Sequence, residues 1–180
     1  MKRIKNTVIL FFVYFLTAIP FKVMEIIPGF TDIRPVAMLG PIYAVFFGIP
    51  GCIIMAVGNI VMDIFSNSLR WTSIAGFIAN FIGPLLIYLI WIRWSRKPFS
   101  LKTGSSLLKH VGIIILSAVL ETAIISPAVA LIYPSVDASL FALSVLLNNT
   151  IFPIVFGIPI TILIQEELGF EPIGFKELRK

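Results

Sequence analysis

Polar side chains interrupt several long apolar stretches of this 180-residue chain. These residues are Asn59, Asp63, Asn80, Glu121, Asn148 and Asn149. An aspartate near the centre of a bilayer costs about 2.5–3.5 kcal/mol on insertion scales, so such groups are expected only where a function or a partner requires them. Amide and carboxylate groups at similar depths could together bind a polar solute.

Patterns typical of catalysis are missing from the sequence. The single histidine, His110, has no neighbouring cysteine or carboxylate at metal-ligand spacing, and no Ser-His-Asp set or glycine-rich phosphate loop is evident. We therefore expect a protein that is not an enzyme and that holds neither a metal nor a cofactor of its own. The chain also lacks a nucleotide-binding motif.

The composition identifies the class of protein. Hydrophobic residues make up 58% of the chain and charged residues 13%, whereas soluble domains are about 45–50% apolar and about 25% charged. We expect one polytopic membrane domain over residues 1–180. The net charge of +5 is explained by membrane topology and lipid contact, so no nucleic-acid partner is expected.

The gaps between polar clusters predict an all-α membrane protein with six transmembrane helices. The predicted helices cover about 7–24, 34–47, 51–65, 71–93, 110–133 and 138–165. The second helix, at about 14 residues, would rise only about 21 Å, which is less than the roughly 30 Å hydrocarbon thickness. This helix must be buried among its neighbours or leave one side of the protein concave.

The distribution of lysine and arginine predicts the orientation. Most of the 14 basic residues fall at the two termini and between the fourth and fifth predicted helices. They are Lys2, Arg3, Lys5, Arg93, Arg96, Lys97, Lys102, Lys109, Lys176, Arg179 and Lys180. The positive-inside rule then places both termini in the cytoplasm. Only Lys22, Arg34 and Arg70 fall on the outer side.

This topology places the intramembrane polar residues between the outer surface and the midplane. The outer helix ends add Asp32, Arg34, Arg70 and Trp71, so we expect a pocket that opens to the outside. A polar solute, either cationic or heteroaromatic, is our hypothesis for its ligand.

Structural roles for the same residues stay open. An asparagine could join two helices by a hydrogen bond, and Asp63 could pair with Arg70 or Arg34. Glu121 could be protonated, paired across helices, or part of a site.

Four sequence segments form a recognisable set: the run from Pro28 to Pro35, the turn from Phe47 to Gly51, the Gly58-Asn-x-x-x-Asp63 motif, and the run from Ser73 to Phe81 with its Gly-Phe-x-x-Asn pattern. Together they resemble the substrate-binding S components of energy-coupling factor (ECF) transporters. The resemblance covers about residues 27–88, and the remainder agrees in helix number, size and topology.

The resemblance implies a six-helix bundle in the plasma membrane of a prokaryote, with cytoplasmic termini. Such a subunit captures a vitamin or similar micronutrient at the outer face, where residues 25–34 would cover the site. It works with a separate transmembrane scaffold subunit and two cytoplasmic ATPases, which use the ATP. By position, Asn59, Asp63 and Asn80 would line or support the pocket. The Ala-x-x-x-Ala docking motif of many S components is missing from the first helix, which leaves the choice of scaffold open.

Two other functions remain open on the sequence alone. Small six-helix membrane proteins also act as non-transporting scaffolds of cell-wall machinery, and their polar residues would pair only with one another. A small secondary transporter is the third possibility, although 180 residues would then require a dimer and no inverted repeat is evident.

Overall fold

The computed structural model describes residues 2–95 and 99–173, with side chains from residue 7 onward. Its helices are α1 (Lys2–Ala18), α2 (Leu39–Phe47), α3 (Ile49–Phe65), α4 (Thr72–Tyr88), α5 (Gly104–Ile132), α6 (Ala138–Phe152) and α7 (Ile158–Glu166). Turns of 3-10 helix follow α1 (Ile19–Phe21) and precede α2 (Pro35–Met38). Turns of π-helix follow α4 (Leu89–Trp94) and join α6 to α7 (Pro153–Gly157). The strands β1 (Glu25–Ile27) and β2 (Thr31–Asp32) form an antiparallel hairpin.

Three helical segments are long and apolar enough to cross a membrane. They are Thr72–Trp94, Gly104–Ile132 and Ala138–Glu166. The other apolar helices, Thr7–Phe21, Pro35–Phe47 and Ile49–Phe65, would reach only about 20–26 Å at the helical rise. A mostly helical fold with three segments long and apolar enough to cross a membrane is therefore confirmed for the described residues, whereas six complete spans and their orientation stay predictions.

Several predicted helix limits differ from the structure; α1, for example, begins at Lys2 rather than near residue 7. The first helix was expected to continue to residue 24, but α1 ends at Ala18 and a 3-10 turn containing Pro20 follows, because proline cannot donate to a continuing helix. The fifth helix begins at Gly104 rather than near residue 110, since Thr103 Oγ1 accepts the Ser106 N–H at 3.2 Å and caps the helix. The basic residues Arg96, Lys97 and those of 174–180, on which the orientation partly depends, lie outside the described residues.

The helices pack in a sequential bundle, with α4 between α3 and α5 and with α6 against α5. The short α2 packs against both α3 and α4, and α1 packs against α3. Large apolar side chains such as Phe12, Leu116 and Leu143 remain exposed on the outer faces. Apolar surface of this extent is typical of a protein that contacts lipid or partner chains.

The β-hairpin lies between the first two helices, in the segment 25–34 that the family resemblance assigned to covering the site. Its turn is closed by the Phe30 N–H, which donates to the Ile27 carbonyl at 2.9 Å. Gly29 adopts a φ of 71°, which a side chain would strain. We call the end of the bundle that carries this hairpin the hairpin end.

Close helix packing at Gly58 gives a test of the bundle. A Cβ atom on Gly58 would lie 2.9 Å from the buried ring of Tyr14, so Gly58→Ala must displace that ring. Overpacking costs about 1–3 kcal/mol against a helix-propensity gain of about 1 kcal/mol, and we expect a lower melting temperature in detergent. The matched control is Gly112→Ala in α5, where a Cβ meets no atom within 4 Å. Equal stability of the two variants would contradict the α1–α3 packing.

Candidate solute-binding site

A cavity of about 150 Å³ lies at the hairpin end. We call it the hairpin pocket. Its polar wall consists of Lys22, Glu25, Thr31, Asp32, Arg34, Asn59, Asp63, Ser66, Ser68, Arg70, Thr72 and Ser73. The volume is below the roughly 300–1,000 Å³ of sites for drug-sized ligands, so the pocket fits a small molecule.

Asp32 is the centre of the charged network in this pocket. The Lys22 Nζ lies 3.2 Å from Asp32 Oδ2, and the Arg34 Nε lies 3.8 Å from Asp32 Oδ1. The Arg34 Nη2 also donates to Asn59 Oδ1 at 2.6 Å. Asp32 is 8% exposed, and these two cations offset the desolvation of its carboxylate.

Asp63 is paired with a cation other than the two considered from the sequence. Its Oδ1 lies 3.9 Å from the Lys22 Nζ, and no ion pair of the described chain joins it to Arg34 or Arg70. Sequence reasoning left Lys22 out of the site. The available signal was its position, since Lys22 is one of three basic residues on the predicted outer side.

Asn148 supports the hairpin instead of lining the pocket. Its Oδ1 accepts the Arg34 backbone N–H at 3.0 Å, and its Nδ2 donates to the Asp32 carbonyl at 2.9 Å. The side-chain amide thus pairs with the backbone as a neighbouring strand would. This contact fastens the end of β2 to α6.

Arg70 contacts the pocket in a different way from the other two cations. Its guanidinium carbon lies 4.3 Å from the centre of the Phe30 ring and 5.5 Å from that of Tyr133. The buried Nε has no hydrogen-bond partner among the described residues. None of the ion pairs found in the described chain includes Arg70.

An apolar wall faces these polar groups. It consists of Ile125 and Val129 from α5 and Phe141 and Val145 from α6. All four are buried and form one cluster with Ala79. The pocket therefore offers a ligand both charged groups and a hydrophobic surface, which is typical of small-molecule sites.

Some of the predicted site residues line a second, smaller cavity instead of the hairpin pocket. It measures about 20 Å³ and is lined by Asn80, Ser117, Glu121 and Asn149 among others, which is room for about one water molecule. Glu121 Oε1 accepts from Ser117 Oγ at 3.0 Å and Oε2 accepts from Asn149 Nδ2 at 2.7 Å. We call this group the inner cluster.

Gly83 makes room for the inner cluster. A Cβ at this position of α4 would overlap the Glu121 carboxylate, so the helix can approach α5 only with glycine there. The Asn80 side chain donates to the Gly76 carbonyl of its own helix at 2.8 Å. The inner cluster is thus largely self-paired.

The predicted site residues consequently divide into groups. Asp32, Arg34, Asn59, Asp63 and Arg70 line the hairpin pocket, whereas Asn80, Glu121 and Asn149 belong to the inner cluster. Trp71 is 76% exposed and lines neither cavity. Besides Lys22, sequence reasoning missed the hydroxyl groups of Ser66, Ser68, Thr72 and Ser73, because short polar residues near a helix end usually indicate only a cap or a turn.

No His, Cys, Asp and Glu residues of the described ranges group in a way that could hold a metal ion. His110 is buried away from these groups, where the Trp91 Nε1 donates to its Nδ1 at 2.9 Å.

No protein-family description, curated protein or solved structure matches this chain significantly. The resemblance to ECF S components therefore depends on the sequence motifs alone, and the geometry of the hairpin pocket is the independent basis for a functional proposal.

The Asn148 contact predicts how the hairpin is held. In Asn148→Leu the Arg34 N–H and the Asp32 carbonyl lose their partners, which costs about 1–3 kcal/mol for each buried group. We expect the Arg34 amide to exchange its hydrogen about ten times faster or more, measured by hydrogen–deuterium exchange. Leu147→Ala, at a half-exposed neighbouring position of α6, is the control. Unchanged protection of Arg34 in Asn148→Leu would contradict the contact.

Proposed function

We propose that this chain is the substrate-specific membrane subunit of an ECF-type ABC importer. In this role it captures a vitamin or a similar micronutrient at the outer face and delivers it inward. The observation that carries the proposal is the hairpin pocket, a cavity of about 150 Å³ with a charged wall and an apolar wall. A helical bundle needs no such cavity for its stability.

The pairing of the polar groups favours solute capture over a non-transporting scaffold. A scaffold would be expected to pair its buried polar groups with one another, as the inner cluster does. In the hairpin pocket, by contrast, Arg70 lies in the wall and takes part in no ion pair of the described chain. A guanidinium without a counter-ion is available to an anionic ligand.

The remaining parts of the proposal follow from the resemblance. All six apolar helices would lie in the plasma membrane of a prokaryote with both termini in the cytoplasm, and the hairpin would cover the pocket from outside. The three shorter helices would then span a locally thinner bilayer or be shielded by their neighbours. A separate scaffold subunit and two ATPases would supply the energy, with a docking surface on α1 that differs from Ala-x-x-x-Ala.

Native mass spectrometry of the protein extracted in lipid nanodiscs tests the capture function. We expect a bound small molecule on the natural chain and its loss in Asn59→Ala, because this change removes the acceptor that holds Arg34. Trp71→Ala is the control, since Trp71 lies outside the pocket, and it should keep the ligand.

Two outcomes would oppose this function. A natural chain that never carries or takes up a small molecule would favour the scaffold. Solute uptake by the chain alone in liposomes, without partner ATPases, would favour a secondary transporter.

A further inference from the structure

The charges of the hairpin pocket do not all find partners within the protein. Lys22 and Arg34 are compensated by Asp32 and Asp63. Arg70 is compensated by no carboxylate of the described chain and stacks on the rings of Phe30 and Tyr133. Aromatic rings attract the cation that lies against their faces. The five N–H donors of the guanidinium point outward in its own plane, however, so the rings do not serve as their hydrogen-bond acceptors.

The surroundings of Arg70 hold its guanidinium in place. The Phe30 and Tyr133 rings meet edge to face, with centroids 5.0 Å apart. A Cβ on Gly29 would lie 2.8 Å from the Arg70 Nη2, so the hairpin turn closes over the guanidinium without a side chain between them. An arginine fixed in this way loses little conformational entropy when it binds an anion.

The remaining carboxylate of the pocket, Glu25, does not serve as the partner. It is exposed at the start of β1 and its Oε2 accepts the Gly29 N–H at 3.3 Å. Arg70 thus has no counter-ion among the described residues and is available to an anion from outside. A planar carboxylate matches the guanidinium fork.

The other lining groups limit the charge and the shape of the ligand. Three carboxylates, Glu25, Asp32 and Asp63, line the same pocket, so a dianion such as a phosphate monoester would be repelled more than a single carboxylate. The buried side chains of Ile125, Val129, Phe141 and Val145 offer a surface for a ring or a branched hydrocarbon.

We propose that the ligand of the hairpin pocket is a small monocarboxylate with an apolar body, whose carboxylate binds the Arg70 guanidinium. This inference depends on the proposed capture function and names its substrate class. It departs from the cationic alternative of the solute hypothesis drawn from the sequence, because the acidic residues Asp32 and Asp63 are already paired with Lys22 and Arg34.

The experiment compares probes that share one ring and differ in charge. Benzoate, benzamide, benzylamine and phenyl phosphate are added to the protein in nanodiscs, and binding is measured by thermal shift and native mass spectrometry. We expect benzoate to bind about ten times more tightly than benzamide or better, as charged hydrogen bonds contribute more than neutral ones. In Arg70→Gln this preference should disappear while the weaker benzamide binding persists, which shows that the variant is folded.

Glu25→Gln is the matched control within the pocket. It removes a charge but leaves Arg70 intact, so benzoate should bind equally well or more tightly. A preference for benzylamine or phenyl phosphate, or an acid preference that survives in Arg70→Gln, would overturn the assignment and leave the capture function standing. Binding of none of the four probes, together with no ligand in the natural chain, would overturn the capture function itself.

Discussion

The buried carboxylate of Asp32 is the constraint on which the hairpin end depends. A carboxylate withdrawn from water is tolerated only when cations and donors surround it. Lys22 from the end of the first helical segment and Arg34 before α2 supply these cations. The ion pairs thereby fix β2 relative to two helices. Asn148 of α6 adds a third attachment, because its side chain bonds the Asp32 carbonyl and the Arg34 N–H.

The same network determines what the pocket can bind. Asp32 and Asp63 pair with Lys22 and Arg34, so among the described residues of the pocket Arg70 is the cation without an anionic partner. The aromatic pair of Phe30 and Tyr133 keeps this cation at the pocket wall. The electrostatic character of the site thus follows from which pairs form inside the protein, and a list of lining residues alone would not reveal it.

Local patterns predicted several parts of this arrangement. Asn59 and Asp63 are four residues apart, so a helix places both on one face, and both line the hairpin pocket. Asn80 and Glu121 were placed at similar depths, but depth along a helix leaves the direction of a side chain open. In the structure both line the small inner cavity instead of the hairpin pocket, and Ser117 and Asn149 donate hydrogen bonds to Glu121.

By itself the sequence determined the helical, apolar character of the chain and the helices that carry the polar residues, because hydropathy and helical periodicity are properties of neighbouring residues. The tertiary structure decided that Asp63 pairs with Lys22, that Asn148 supports the hairpin, and that the polar band divides into two cavities. These outcomes depend on distances between residues far apart in the chain. Coulomb and hydrogen-bond energies change steeply over a few ångströms, and only the packed helices define such distances.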